Sequence, residues 1–554
     1  MTDYDYAPKI DELVFLPLGG ANEIGMNLNL YHFNGKWLMI DLGVTFGNDT
    51  TPGIDVILPD SRFIEAHRKN LLGLLITHGH EDHIGAIPYL CERLECPVYA
   101  SPFAGSLIRR KLTEANLSET IDLIEIPISK KFELGPFGVE FISLTHSIPE
   151  PHSILLTCGD YSVFHTGDWK FDNNPQVGNP TDHSALEKLS SRNIMAMVGD
   201  STNVDVMERT GSEAELIEPL HELFAKQTGR IAIACFASNV ARLRTIALTA
   251  EANDRHTALV GRSLWRMYEV AKENGYLLDV PEFLSDKDVG YLPNDKIVMI
   301  CTGSQGEPRA ALSRIADGSH PQITLNTGDT LIFSSREIPG NETAIGRIKS
   351  KFITQGIKII TEKEAHVHVS GHPGREDMIA MYQLIKPKVS VPVHGEGRHL
   401  AQHAELARSC QVPDVVIPRN GSAVRLAPGV PEEVALVPVS CLGLDGSRVV
   451  ELNGKVIKER KKLVFSGIIS VTLILDKEGL CKQNPIVSAV GVYDDSETQN
   501  MLLAKNLREE IDIAPQRKRT SDEGLKEFAQ KALRRIIRSD YGKKPIISIH
   551  LVRN

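Results

Sequence analysis

The chain has 554 residues, 42% hydrophobic and 24% charged, with 61 Lys+Arg against 71 Asp+Glu and a formal net charge of −10. That length accommodates roughly three or four domains and buries cores without disulfide staples, and the composition excludes a small secreted scaffold, a disordered chain and a collagen-like fibre. The acidic balance speaks at first against a nucleic-acid binder, but the charge is uneven: residues 455–554 carry 20 Lys+Arg and 13 Asp+Glu, a net of +7, which leaves −17 on the other 454. A basic tail on an acidic body points to an anionic partner near the tail.

In chain order, short strands are predicted first: ELVFLPLGG, MNLNLYHF and KWLMIDLG within 12–43, then LLGLLIT at 71–77. A His-rich loop follows, and IGAIPYLCERL at 84–94 has helical periodicity. Strands dominate again to about residue 170, with a hairpin turn at Leu134-Gly135-Pro136-Phe137-Gly138, and IMAMVGDS at 194–201 closes this block. From 213 to 361 the strands RIAIACF, TALVG, KIVMICTG, TLIFSS and IKIIT alternate with helices, the pattern of a parallel, helix-covered sheet. After 362 come HVHVSGH, a helix near 376–386, strand VSVPVHG and a helix near 397–409, then a stretch punctuated by Pro413, Pro418, Pro428 and Pro431. The charge run Lys458, Arg460, Lys461, Lys462 reads as a linker. The tail reads strand (from LVFSGIISVTLIL), strand, helix, helix, strand, with capping-box spacing from Thr520 to Glu523 before its second helix.

None of the eight cysteines forms a CxxC pair, so they read as reduced thiols rather than a zinc ribbon. The N-terminus lacks an apolar signal region, and no apolar run approaches the ~20 residues of a membrane helix. A cytoplasmic protein without a membrane partner is expected.

The strongest chemical signal is His78-Gly79-His80-Glu81-Asp82-His83, directly after an apolar strand. Three imidazoles and a carboxylate within six residues suit a divalent cation. Other predicted strand ends carry His146 after FISLT, Asp168 after VFHTG and, earlier in the chain, Asp41 within LMIDLG.

This block resembles the HxHxDH signature of the metallo-β-lactamase superfamily. The resemblance implies that His78, His80 and His146 hold one ion, that Asp82, His83 and a later His hold a second, that Asp168 bridges, and that Asp41 orients ligands from behind. Two ions about 3.5–4 Å apart bind one hydroxide and stabilise the leaving oxygen of a phosphodiester. The His-rich set favours Zn²⁺ or Mn²⁺ over Mg²⁺.

The superfamily alone does not set the substrate. Asp200 in GDSTN, His372 in HVHVSGH and His394 in VPVHGEG resemble motifs A, B and C of the β-CASP group, which acts on nucleic acids. That resemblance makes His394 the missing second-ion ligand and gives Asp82, Asp200 and His372 catalytic roles. His366 and His368 read as structural. GGANEIGMN, TGSQGEP, SSREIPGNE and SGHPGRED narrow the resemblance to the bacterial ribonuclease J family. The implied fold is α/β: a metallo-β-lactamase αββα sandwich core with an inserted, doubly wound parallel β-CASP domain and a small C-terminal α/β domain. The expected boundaries are 1–212 and 365–445 for the core, 213–364 for the insertion, 446–461 for a linker and 462–554 for the last domain.

The family further implies a pocket for the 5′ monophosphate of RNA, whose matching positions are Ser238, Asn239, Ser370, Gly371 and His372. It implies 5′-to-3′ exonuclease and endonuclease action by hydroxide attack, a role in RNA maturation and decay, a homodimer or homotetramer, and partners in an RNA-degradation complex. A small-molecule hydrolase such as a lactonase or thioesterase has no use for the insertion or its motifs. A catalytically silent RNA-binding scaffold would have lost ligand positions, and none is lost. GSQGEP lacks the P-loop pattern, and no GxSxG elbow supports a serine hydrolase.

Overall fold

The computed structural model describes residues 4–494 and 496–553. They form two compact units, one comprising Met1–Thr45 with Leu58–Val439, the other Phe46–Ile57 with Ser440–Asn554.

The first unit contains two large sheets. One has eight strands, in the order Glu432–Leu436, Ser422–Ala427, Leu13–Gly19, Leu28–Phe33, Lys36–Ile40, Leu71–Leu75, Val98–Ala100, Leu123–Glu125. The other has seven: Lys131–Leu134, Phe137–Ser143, His152–Cys158, Tyr161–His165, Ala196–Asp200, Val389–Val393, Asp414–Val415. They pack face to face. Phe15, Tyr31, Leu38 and Leu75 from the first meet Phe141, Ile154, Leu156 and Val198 from the second in one buried cluster. The period of two along a strand divides each β-chain between two cores. Phe141 points into this interior, while its neighbour Ile142 joins Leu155, Phe164 and Met197 under the helices His183–Leu189, Arg375–Ile385 and Gly397–Ser409. On the other side, helix Pro102–Glu114 packs on Val98–Ala100 and Leu123–Glu125. The layering is the expected αββα sandwich. The expected hairpin is present, with Leu134 opposite Phe137 and Gly135 at φ +57°, as a two-residue turn with glycine first requires.

The insertion folds around its own six-stranded, all-parallel sheet, ordered Leu284–Ser285, His256–Val260, Ile297–Cys301, Ile231–Ala234, Thr330–Phe333, Lys358–Ile360. Helices Val240–Ala252, Arg262–Glu273 and Ala311–Ala316 lie between its strands in the sequence. The chain leaves the sandwich after Ala196–Asp200 and returns on Val389–Val393, which pairs in parallel with it and sets Asp200 opposite Val393. This register brings Asp200 and His394 to the same strand ends although 194 positions separate them in the sequence.

The second unit differs from the sequence reading in two places. The stretch expected as a linker carries strand Arg448–Glu451, which pairs with Cys441–Asp445, and then helix Lys455–Ser466. Leu463, Val464 and Phe465 therefore end a helix rather than begin a strand. Gly467, at φ +73°, stops that helix, and its N–H donates to the Leu463 carbonyl at 2.9 Å. Strand Ile468–Leu475 then lies between Ile486–Val490 and Ile546–Arg553, and its alternate residues bury against Leu507, Leu525 and Leu533 of the two long helices.

The second correction concerns the cap of helix Asp522–Tyr541. Ser521, not Thr520, is its N-cap, with Oγ accepting from Gly524 N at 3.2 Å, whereas the Thr520 hydroxyl donates back to the Gln516 carbonyl at 3.0 Å. Ser521→Ala should therefore cost about 1 kcal/mol in urea denaturation of the full chain, and Thr520→Ala clearly less. Equal losses would contradict this cap assignment.

Candidate metal centre

Five candidate residues follow the end of a sandwich strand: Asp41 after Lys36–Ile40, His78 after Leu71–Leu75, His146 after Phe137–Ser143, Asp168 after Tyr161–His165, His394 after Val389–Val393; Asp82 and His83 lie on the short helix Glu81–Ile84, and His372 on the loop before helix Arg375–Ile385. Asp200 ends its own strand. Asp41 and His394 are held at φ +62° and +51°, a region that non-glycine residues rarely adopt and that clusters at functional sites. The 78–83 turn is bonded to the neighbouring loop through its backbone: Asn27 N to Asp82 O at 3.0 Å, Leu42 N to His83 O at 2.7 Å, Val44 N to Glu81 O at 3.0 Å. Gly43 permits this contact, since a β-carbon there would lie 1.6 Å from the Asp82 carbonyl oxygen.

Three sets of side chains converge, and within each set one possible ligand atom per residue lies within 4.8 Å of all the others: His78, His80, His146 and Asp168; Asp82, His83, Asp168 and His394; Asp168, Asp200, His372 and His394. Asp168 belongs to all three. In the first set, His80 Nδ1 is 3.0 Å from His78 Nε2 and 3.1 Å from His146 Nε2, and Asp168 Oδ2 is 3.8 and 4.0 Å from those two nitrogens. In the second, His83 Nε2 is 3.2 Å from Asp168 Oδ2 and 3.5 Å from Asp82 Oδ2, and His394 Nε2 is 3.1 Å from Asp82 Oδ2. In the third, His372 Nδ1 is 2.7 Å from Asp200 Oδ2 and 3.9 Å from Asp168 Oδ2.

Burial, reinforced by neighbouring histidines, holds the protonation of His78 and His146 well below the ordinary range, and burial lowers that of His80 to about 4. All three are neutral imidazoles with lone pairs turned to one point, a donor set that fits a borderline-soft divalent cation. Burial opposes a charge on His83 and His394 as well, but Asp168 and the other carboxylates beside them outweigh it and hold both well above the usual histidine range. Histidine charges hold Asp82, Asp168 and Asp200 low against the burial that would raise them, His83 and His394 acting on the first two and His372 with His394 on Asp200. Three ionised carboxylates packed against charged imidazoles suit a site that exchanges protons for a metal.

Behind these groups, Asp41 accepts from Thr77 N and Thr77 Oγ1, both at 2.8 Å, and its Oδ2 is 2.7 Å from His83 Nδ1, which leaves His83 Nε2 facing the second set. His146 Nδ1 donates to the Gly371 carbonyl at 2.6 Å. Four consecutive residues then reach four different partners. Asp200 meets His372; Ser201 Oγ lies 2.8 Å from His403 Nδ1; Thr202 Oγ1 lies 2.7 Å from His394 Nδ1; Asn203 Nδ2 donates to Ser370 Oγ at 2.7 Å.

Of the candidate phosphate residues, Ser370, Gly371 and His372 lie on the loop bonded to His146 and Asp200. Asn239 is the N-cap of helix Val240–Ala252, with Oδ1 accepting from Arg242 N at 2.9 Å, and Ser238 precedes it. Arg242 ties that helix start to the loop. It is fully buried, pairs with Glu213 at 2.6 and 3.0 Å, and donates to the carbonyls of Ser334 at 2.9 Å, Val367 at 3.4 Å and Val369 at 3.3 Å. His368 faces the same guanidinium at 3.3 Å, and neither it nor His366 enters any of the three sets among the described residues.

Thr77, Thr202 and Asn203 adjoin recognised motif residues and were within reach of the sequence reading. Arg336 lies within the SSREIPGNE run that carried the resemblance, although nothing local marks its partner, and Arg242 carries no local signal. Among the described residues all eight cysteines are free thiols; Cys410 and Cys441 are partly exposed and the rest buried. No helix of the described residues is long and apolar enough to cross a membrane.

Family models match the chain in four consecutive pieces: the metallo-beta-lactamase superfamily over 27–202, the ribonuclease J beta-CASP domain over 228–352, a Zn-dependent metallo-hydrolase RNA specificity domain over 356–418, and the ribonuclease J C-terminal domain over 455–554. The ribonuclease J of Sinorhizobium meliloti is 42% identical, with 98% of each chain covered. That of Mycolicibacterium smegmatis is 38% identical over 83% of each chain, and that of Corynebacterium glutamicum 37% identical over 87% of this chain and 67% of its own. A crystal structure of an Enterococcus faecalis protein of unknown function superposes with a TM-score of 0.53 at 16% identity, covering 74% of this chain and 99% of that one, a likeness of fold alone. With near-complete coverage at this identity, and with a converging His/Asp cluster in place, the chain belongs to the ribonuclease J family and is a metal-dependent hydrolase of RNA.

Proposed function

We propose that the chain is a two-metal ribonuclease with 5′-to-3′ exonuclease and endonuclease activity, acting in RNA maturation and decay. The observation that carries this is the position of Asp168 within reach of both histidine sets and of the His372–Asp200 pair. In this reading His78, His80 and His146 hold one cation, Asp82, His83 and His394 the other, and Asp168 is shared. Zn²⁺ or Mn²⁺ would supply an activated water and charge stabilisation for the attacking and leaving oxygens. Asp41 orients His83 through its Nδ1. Asp200 accepts from His372 Nδ1 and, with Asp168, holds the ring's protonation above the ordinary histidine range against its burial, so the imidazolium offers its Nε2 proton to the leaving oxygen.

Ser238, Asn239, Ser370, Gly371 and His372 form the pocket for the 5′ monophosphate. Hydroxyl and amide donors at the start of a 13-residue helix suit an anion. A 5′ phosphate anchored on the Ser238–Asn239 side of this pocket, with His372 left to the scissile phosphate, leaves one nucleotide between the two and gives stepwise release from the 5′ end; internal cleavage requires a strand that enters without using the pocket. We place the enzyme in the cytoplasm as a homodimer or homotetramer within an RNA-degradation complex, and light scattering of the full chain should return a mass of two or four protomers.

The decisive assay compares a 3′-labelled RNA bearing a 5′ monophosphate with its 5′-triphosphate twin and with a circular form, in Mn²⁺ and in Zn²⁺. Mononucleotide release from the monophosphate form, with slower scission of the circle, is the expected result. Cleavage of none of the three would overturn the proposal.

A further inference from the structure

We infer that Asn203, polarised by Arg336, makes Ser370 a hydrogen-bond donor only and thereby gives the phosphate pocket its preference for an anionic RNA end. The inference rests on the proposal that Ser370 receives the 5′ monophosphate, and it assigns two residues outside that pocket's expected set.

Asn203 is 2% exposed and its amide has three partners. Arg336 Nη1 donates to Oδ1 at 2.5 Å. A guanidinium has no acceptor, so this end of the amide is the oxygen. At the other end Nδ2 donates to the His372 carbonyl at 3.2 Å, and a carbonyl can only accept. The orientation of an amide is normally open to a flip; here a pure donor on one side and a pure acceptor on the other determine it.

The same Nδ2 lies 2.7 Å from Ser370 Oγ, so the serine must accept from it. The backbone N–H of His372 also donates to that oxygen, at 3.2 Å. A hydroxyl has two lone pairs and one proton. Both lone pairs are engaged, and the proton is what remains for a ligand. Such a hydroxyl forms its strongest bond to a charged oxygen, because charge-assisted hydrogen bonds are about twice as strong as neutral ones. The cation at the far end of the relay strengthens each bond in turn. The guanidinium is 42% exposed, with Asp205 Oδ2 at 3.6 Å, so its charge is only partly offset.

Asn203→Asp preserves the shape and inverts the relay: a carboxylate cannot donate, so it draws the Ser370 proton to itself. The readout is the ratio of kcat/KM for 5′-monophosphorylated over 5′-hydroxylated RNA of one sequence, supported by the binding ratio of the two ends on uncleavable phosphorothioate strands. The ratio should fall about 10-fold or more, the range for losing a hydrogen bond to a charged group. Arg336→Leu is the second variant, at a half-exposed position; it frees the amide to turn over and should lower the ratio several-fold. Ser370→Ala separates the two ideas. If it keeps the wild-type ratio, the phosphate assignment itself fails. If it loses the preference while Asn203→Asp and Arg336→Leu both keep it, the pocket stands and the relay is overturned.

Discussion

Asp168→Asn is expected to reduce RNA cleavage by on the order of 10⁴-fold, since members of one catalytic unit fail together when any is removed. Asp168 is the carboxylate common to all three converging sets, 4% exposed, with nitrogens of His78, His83, His146, His372 and His394 within 4.0 Å. An amide of the same shape keeps the packing but carries no charge to balance the histidines around it or, in the proposed two-metal reading, to be shared between cations. Bound metal measured after dialysis should fall with activity, while the far-UV spectrum stays unchanged. Activity within tenfold of the wild type would exclude Asp168 as the shared ligand. Chelation of the unmodified enzyme should reproduce the loss, and readdition of Mn²⁺ or Zn²⁺ should reverse it.

Arg242→Met should destabilise the chain by about 3–5 kcal/mol, the usual cost of breaking a buried ion pair from one side. Glu213 would remain 4% exposed and unpaired, and the Ser334, Val367 and Val369 carbonyls would each lose a donor. Adding Glu213→Leu should recover most of the loss by removing the stranded charge. Equilibrium urea unfolding measures both. A loss below about 1 kcal/mol would deny Arg242 the role of holding the helix start against the 367–369 run. The two variants should also separate by function: Asp168→Asn abolishes cleavage of every RNA, whereas the Arg242 variant should chiefly weaken the preference for a 5′ monophosphate.

The residues that converge in the His/Asp cluster were named from the sequence because short motifs around strand ends, above all His78 to His83, carried a family resemblance. Strand periodicity disclosed the parallel insertion, whose apolar strands alternate with helices. It misled at 463–465, where three apolar residues in a row suggested a strand. Val464 and Phe465 lie 70% and 81% exposed on a helix that Gly467 ends, and a short apolar run does not distinguish the two conformations. The cap at Ser521 was missed by one residue because Thr520 offers the same hydroxyl chemistry, and only the backbone path decides which oxygen faces the free N–H groups.

By itself, then, the sequence determined the fold class and the residue types of the His/Asp cluster. Only the tertiary structure decided the partners. Asn203 meets Ser370 across 167 positions and Arg336 across 133, and Arg242 meets Val367 across 125. Such pairs leave no trace in local pattern, because the hydrogen bond depends on direction and burial that arise only when the two parallel strands ending at Asp200 and Val393 are brought side by side.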